Sequence, residues 1–166
     1  MKTFFLITVS LLISGAISAQ SDSLQQEIND QVWKPFIKAF SELDTDGFMH
    51  VHSTDMTRVI QDGKQVQTYE QYYQSNRRGD DRARLGNRKR KIELRFIQRI
   101  AGNGRAFEVG YYKTTNVAPD GKEQNFYGKF QVLLRKESGT WKIIMDADAR
   151  ADASDEVFKS AAAMEN

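Results

Sequence analysis

Few side chains in this chain can do chemistry. His50 and His52 are its only histidines, and it has no cysteine. Disulfides, thiolate metal sites and cysteine nucleophiles are therefore excluded. In an extended segment His50 and His52 point the same way and could share a ligand or metal; in a helix they point apart. A metal would need a further ligand such as Asp55 or Asp146. Coordination takes more ligands than the sequence gathers here, so no metal and no cofactor is expected. A carboxylate at the end of an apolar cavity would serve as a general base, because burial raises its pKa into a useful range. The catalytic candidates are His52, Asp55 and Asp146, with Tyr111 as a hydroxyl donor to a ligand. Arg58 lies on a short strand whose two faces are nearly equally apolar. Turned inward it would anchor an anionic group; turned outward it would only be solvated.

These side chains need elements to aim them. Ser23-Leu24-Gln25-Gln26 is a capping-box pattern and starts a helix. Leu24, Ile28, Val32, Phe36, Phe40 and Leu43 recur at three- and four-residue spacing and form its apolar face. Pro35 should kink that helix or restart it in a first turn. Asp44-Thr45-Asp46-Gly47 ends or interrupts it, with a short helix or turn through Phe48–His52 after it. Met56–Gln61 reads as a strand closed by an Asp62-Gly63 turn. Thr68-Tyr69-Glu70-Gln71 is a second capping box. Its helix carries Tyr69, Tyr72 and Tyr73 and fades near Gly79, leaving Arg82–Arg90 as a solvated loop.

Strands dominate the remainder. Ile92, Leu94, Phe96 and Ile100 take one parity, although Ile97 and Gln98 break the alternation. Gly102-Asn103-Gly104, Pro119-Asp120-Gly121 and Ser138-Gly139 mark turns. The apolar parity puts Phe107, Val109 and Tyr111 inward, then Phe126, Gly128, Phe130, Val132 and Leu134, then Trp141, Ile143 and Met145. On that count Asp146 faces outward unless a bulge intervenes. Gly110 and Gly128, inside strands, would allow strong bending. Helices followed by an antiparallel meander predict an α+β fold, with N-terminal helices packed on a strongly curved antiparallel sheet that leaves a cone with an apolar cavity.

In Trp33-Lys34-Pro35-Phe36, in Asp44…Phe48…His52-Ser53-Thr54-Asp55, in Val59…Asp62-Gly63 and the Tyr69–Tyr73 helix, and most specifically from Gly128-Lys129-Phe130 through Trp141-Lys142-Ile143-Ile144…Asp146, the chain resembles the SnoaL-like branch of the nuclear transport factor 2-like superfamily. The resemblance implies a cone-shaped α+β barrel of the cystatin-like kind, often a homodimer through the outer sheet face, and relatives that include steroid isomerases, polyketide cyclases, epoxide hydrolases and dehydratases, with many that bind without catalysis. Fold alone does not choose among these. On the outer face Arg95, Arg99, Glu108, Lys129 and Arg135 would form crossed ion pairs between copies.

Residues 1–19 read as a signal peptide: Lys2, an apolar run over Phe4–Ile13, and small residues up to Ala19. Residues 20–150 would be the SnoaL-like domain and 151–166 an acidic, Ala-rich tail, frayed or a short helix. With no cysteine for lipid attachment and no other span, the product is expected free of any membrane anchor, in the periplasm or secreted. The formal charge of the 166 residues is +2, which argues against a nucleic-acid binder. The basic stretch Arg77–Arg95 lacks interleaved aromatics that stack on bases. The expected role is binding of a small, largely apolar molecule, with Phe36, Phe40, Arg58, Phe96, Phe107, Tyr111 and Phe130 lining or underlying the cavity. The competing roles are an acid–base enzyme acting on a hydrophobic substrate and an interaction module with a filled cone.

Overall fold

The computed structural model describes residues 22–164, and the leader expected over 1–19 lies outside them. Helix α1 (22–28) runs into a π-helical turn, Asn29–Trp33, and on into α2 (Lys34–Glu42). Pro35 explains the wide turn. Its ring nitrogen has no hydrogen to give the carbonyl four residues back. Widening the turn before it shifts the register, and the Lys34 N–H bonds to the Asn29 carbonyl. A π-turn thus carries the helix through the proline without a break. Leu43, at φ 58°, ends α2. Asp44 then caps α3 (Thr45–His50), accepting from the Gly47 N–H at 3.0 Å.

β1 (His52–Ile60) and β2 (Gln65–Thr68) form a hairpin. Helix α4 (Tyr69–Leu85) opens on the expected Thr68–Gln71 capping box. It does not fade at Gly79; the turns drawn as a loop are helical to Leu85. Asp80 is the reason. Its buried carboxylate accepts from the Thr45 hydroxyl at 2.6 Å and pairs with Arg90 at 2.6 Å. The later turns are thereby tied to α3 and to β3 (Lys89–Gly102), which outweighs the glycine's cost of about 1 kcal/mol.

β3, β4 (Arg105–Val117), β5 (Glu123–Glu137) and β6 (Thr140–Ala149) form the antiparallel meander that the turn residues call for. The sheet is not wholly antiparallel, however. β1 lies along β6 in the same direction, giving a mixed, open sheet in the order β2-β1-β6-β5-β4-β3-β7. The edge strand β7 (Ala162–Ala163) follows α5 (Asp155–Ser160) and pairs with β3. The described part of the tail is therefore packed. Ser154 caps α5, Phe158 is buried, and the Tyr127 hydroxyl donates to Asp155 at 2.8 Å. Among the described residues no helix is long and apolar enough to cross a membrane.

Three strand parities decide what faces the hollow. β5 alternates as expected, burying Phe130, Val132 and Leu134. In β3 the register slips between Phe96 and Gln98. This bulge turns Arg99 inward and leaves Ile100 55% exposed, against the expectation for Ile100. β4 runs opposite to the apolar parity: Ala106, Glu108 and Tyr112 face in, so Phe107, Val109 and Tyr111 lie on the outer face. The cause is Glu108. Its buried carboxylate accepts from Arg99 at 2.9 Å and from the Trp33 indole at 2.5 Å. A charge met by charge-assisted hydrogen bonds is tolerated inside. Of the residues expected on the outer face, Arg99 and Glu108 are therefore corrected to the inside. Arg99 and Glu108 pair with each other inside, Arg95 donates to the carbonyls of Lys159 and Ala161, and Arg135 pairs with Asp55 and Glu137.

The strand glycines serve close approach. A Cβ at Gly110 would sit 2.1 Å from the Arg95 carbonyl oxygen and 2.6 Å from the Phe130 ring. The backbone carbonyl cannot move aside cheaply. Gly110→Ala should therefore lower stability by about 1–3 kcal/mol, read as an earlier urea midpoint at unchanged slope. An unchanged midpoint would contradict this packing.

Candidate functional site

The helices and the concave sheet enclose a cavity of about 380 Å³. Its walls are aromatic and aliphatic: Phe36, Phe40 and Phe48 from the helices, and Ile92, Leu94 and Phe130 from the sheet. Phe36 and Phe48 pack at 4.6 Å between ring centres. One end is polar and is built by Arg58, Tyr72, Tyr112, Asp146 and Asp148, with Arg150 also on the lining.

A bulge makes that end. Ile143 pairs with Leu134 and Met145 with Leu133, so Ile144 is an extra residue in β6. Past it the parity inverts. Met145 turns out, and Asp146 and Asp148 turn in. The parallel register sets Arg58 beside Asp146. Arg58 Nη1 lies 3.2 Å from Asp146 Oδ1 and 3.1 Å from its carbonyl, and Nη2 bonds Asp148 Oδ1. The Tyr72 hydroxyl donates to Asp146 Oδ2 at 3.3 Å and the Tyr112 hydroxyl to Asp148 Oδ2 at 2.8 Å. Tyr112 can lie there because Gly128, opposite it, leaves its ring the space; a Cβ at Gly128 would be 2.3 Å from that ring.

His52 sits behind Asp146, its ring buried and edge-on to Tyr72. Its Nδ1 is 3.0 Å from the Phe48 carbonyl and so carries the hydrogen. Its Nε2 is 3.8 Å from Asp146 Oδ2, beyond hydrogen-bond reach.

The electrostatics differ from a buried base awaiting a proton. Burial, the largest single influence, pushes the Asp146 carboxyl up, but the Arg58 charge together with His52 and the Tyr72 hydroxyl pulls it down further, and it ends below the usual carboxylate range. Burial works against the Arg58 charge too, and Asp146 and Asp148 more than restore it. Burial, with Asp146 nearby, raises Tyr72; burial, with Asp148 nearby, pushes Tyr112 up to about 12. A tyrosine held above its unfolded value keeps its proton longer when folded. Its contribution is full below the unfolded pKa of about 10 and is lost as pH rises through about 12. Urea midpoints should fall across that window in the wild type and fall less in Tyr112→Phe. Parallel curves would contradict the Tyr112–Asp148 bond.

Of the residues singled out from sequence, Phe36, Phe40, Arg58, Phe130 and Asp146 meet at the cavity. Phe96 is buried beneath it, 5.8 Å from Trp33 and 5.6 Å from Phe130 between ring centres. Asp55 lies away from it, accepting from Ser53 and paired with Arg135. Phe107 and Tyr111 lie on the outer face. His50 is exposed at the end of α3 and does not join His52. Among the described residues no three metal-ligating side chains cluster. The reading missed Tyr72, Tyr112 and Asp148 as cavity residues. A signal existed for Asp148: two acids two apart in one strand share a face.

No protein-family model matches the chain, and no curated protein matches it. Solved structures do. A protein with a cystatin-like fold from Novosphingobium aromaticivorans, described as NTF2-like, is 9% identical, with TM-score 0.66 over 92% of this chain and 96% of that one. Aln2 from a Streptomyces species is 15% identical, with TM-score 0.67 over 78% and 92%. An NTF2-like protein of unknown function from Shewanella oneidensis is 17% identical, with TM-score 0.56 over 71% and 93%. The chain therefore has the nuclear transport factor 2-like, cystatin-like fold.

Proposed function

We propose that this protein holds a small molecule in its cone, an apolar body against the aromatic walls and a polar head at the Arg58–Asp146–Asp148 floor. One observation carries the reading: an open hollow with buried charges at one end. Charges taken out of water weaken a fold unless they are well paired, and apolar residues of similar volume would serve stability as well or better. Ionised groups around unfilled space fit recognition. The hollow also disfavours an interaction module with a filled cone. The setting belongs to the same proposal: an exported protein, periplasmic or secreted, resting on the leader-like residues 1–19.

An acid–base enzyme of the isomerase, cyclase or hydrolase kind is the second reading. The His52 Nε2 atom, buried without a hydrogen-bond partner beside Asp146, favours it. Against it, Arg58 with the neighbouring His52 and Tyr72 holds Asp146 ionised and weakly basic, and His52 is not on the cavity lining.

Native mass spectrometry of protein purified from its own cells tests the binding role. A non-covalent mass increment that disappears on denaturation is expected. Bare protein in repeated preparations, with no rise in melting temperature from any apolar amphiphile, would overturn the proposal.

A further inference from the structure

An arginine turned into an aromatic pocket invites an anionic ligand. Here the guanidinium is already committed. Nη1 serves Asp146 through its side chain and carbonyl, and the Val59 carbonyl at 3.3 Å. Nη2 serves Asp148. Nε is buried out of reach. Both terminal nitrogens of Arg58 are thus engaged by the floor's own acceptors. The hydroxyl hydrogens of Tyr72 and Tyr112 point at the same carboxylates, so their oxygens can only accept.

Acceptors are what the floor has to offer. A carboxylate has about four lone-pair sites. Asp146 receives Arg58 and Tyr72, and Asp148 receives Arg58 and Tyr112. Two carboxylates stand against one guanidinium, so the floor itself is net negative. Phe48 and Tyr112 also line the cavity, and ring faces attract cations; the Tyr72 ring already has Arg58 at 5.2 Å from its centre. The other cations on the lining do not reverse this. Arg90 pairs with Asp80 at 2.6 Å and lies over the Phe40 ring. Arg150 reaches the Tyr112 hydroxyl and lies over the Phe126 ring, 5.8 Å from its centre, but its side chain is exposed, and solvent screens its charge more than that of the buried carboxylates.

We infer that, within the binding role proposed above, the head group taken at the floor is a protonated amine and not an anion. The ligand class is an apolar, ring-bearing amine. Its ammonium hydrogens would fill lone pairs of Asp146 and Asp148 while its body meets the aromatic walls. A ligand that also carried an anionic group would leave it at the rim, near Arg150.

Isothermal titration of the full protein at neutral pH with three probes of one skeleton tests this: naphthylethylamine, naphthylethanol and naphthylpropionate. The amine should bind at least about tenfold tighter than the carboxylate, with the alcohol between, because a like charge beside the floor is repelled. Asp148→Asn, checked for folding by circular dichroism, should shrink the amine preference about tenfold, since it removes a negative charge and frees Arg58 Nη2. The wild-type ranking decides even if that variant misfolds. A carboxylate bound as tightly as the amine, or an alcohol equal to it, overturns the inference and leaves the binding role standing. Failure of all three probes overturns the binding role, and the inference falls with it.

Discussion

Arg58→Met is expected to destabilise the protein by about 3–5 kcal/mol at neutral pH. The substitution keeps most of the side-chain volume and removes the only guanidinium between two inward carboxylates. The side chains of Arg58, Asp146 and Asp148 are 11%, 12% and 17% exposed, so water recovers little of the loss. Two buried charges would then face each other unpaired. The effect has a pH signature. In the wild type the folded pKa of Asp146 lies below its unfolded value. Its stabilisation is present above the unfolded pKa, about 3.9, and is lost as pH falls through the folded one. In the variant, burial without Arg58 raises that carboxyl instead, so protonation relieves the penalty. The deficit should be largest near pH 7 and shrink toward about pH 4. Urea midpoints of both proteins across that range provide the check. A constant deficit would mean that Arg58 contributes packing and not charge.

Trp33→Ala is expected to cost about 3–5 kcal/mol through the space it opens. Trp33 closes the π-turn, is 2% exposed, and meets Phe36, Phe96 and Phe130 at ring-centre distances of 5.6, 5.8 and 5.6 Å. Its indole N–H also donates to Glu108 Oε2 at 2.5 Å. Trp33→Phe separates the two contributions. It keeps most of the ring packing and withdraws a donor from a buried carboxylate, a loss of about 1.5–3 kcal/mol. Chemical denaturation should therefore rank wild type above Trp33→Phe above Trp33→Ala. Equal losses in the two variants would assign the whole effect to the hydrogen bond. No loss in Trp33→Phe would make Glu108 independent of Trp33.

Local signals in the sequence served well. The Thr68–Gln71 capping box starts α4 where expected, and turn residues at Gly102–Gly104, Pro119–Gly121 and Ser138–Gly139 fall at the three bends of the meander. What the sequence hid was non-local. The parallel pairing of β1 with β6, which sets Arg58 against Asp146, joins residues 88 positions apart and leaves no mark in either segment. Parity was hidden differently. A one-residue bulge moves every later side chain to the other face, and nothing in Ile143-Ile144-Met145 says which residue is extra. The β4 parity was misleading because apolar residues were placed inward by type. Glu108 is inside because Arg99 and Trp33 are, and those partners come from β3 and the π-turn. Asp80 extended α4 for a similar reason, through Thr45 and Arg90.

Binding inside the cone is tested most directly by plugging it. Thr114 is half-buried on β4 and lines the cavity. Tryptophan suits a strand at that position and would fill the hollow. Titration calorimetry of wild type and Thr114→Trp with naphthylethylamine, alongside their circular dichroism spectra, makes the comparison. The account predicts a saturable binding isotherm for the wild type and none for a folded Thr114→Trp. Equal affinity in the two proteins would contradict it.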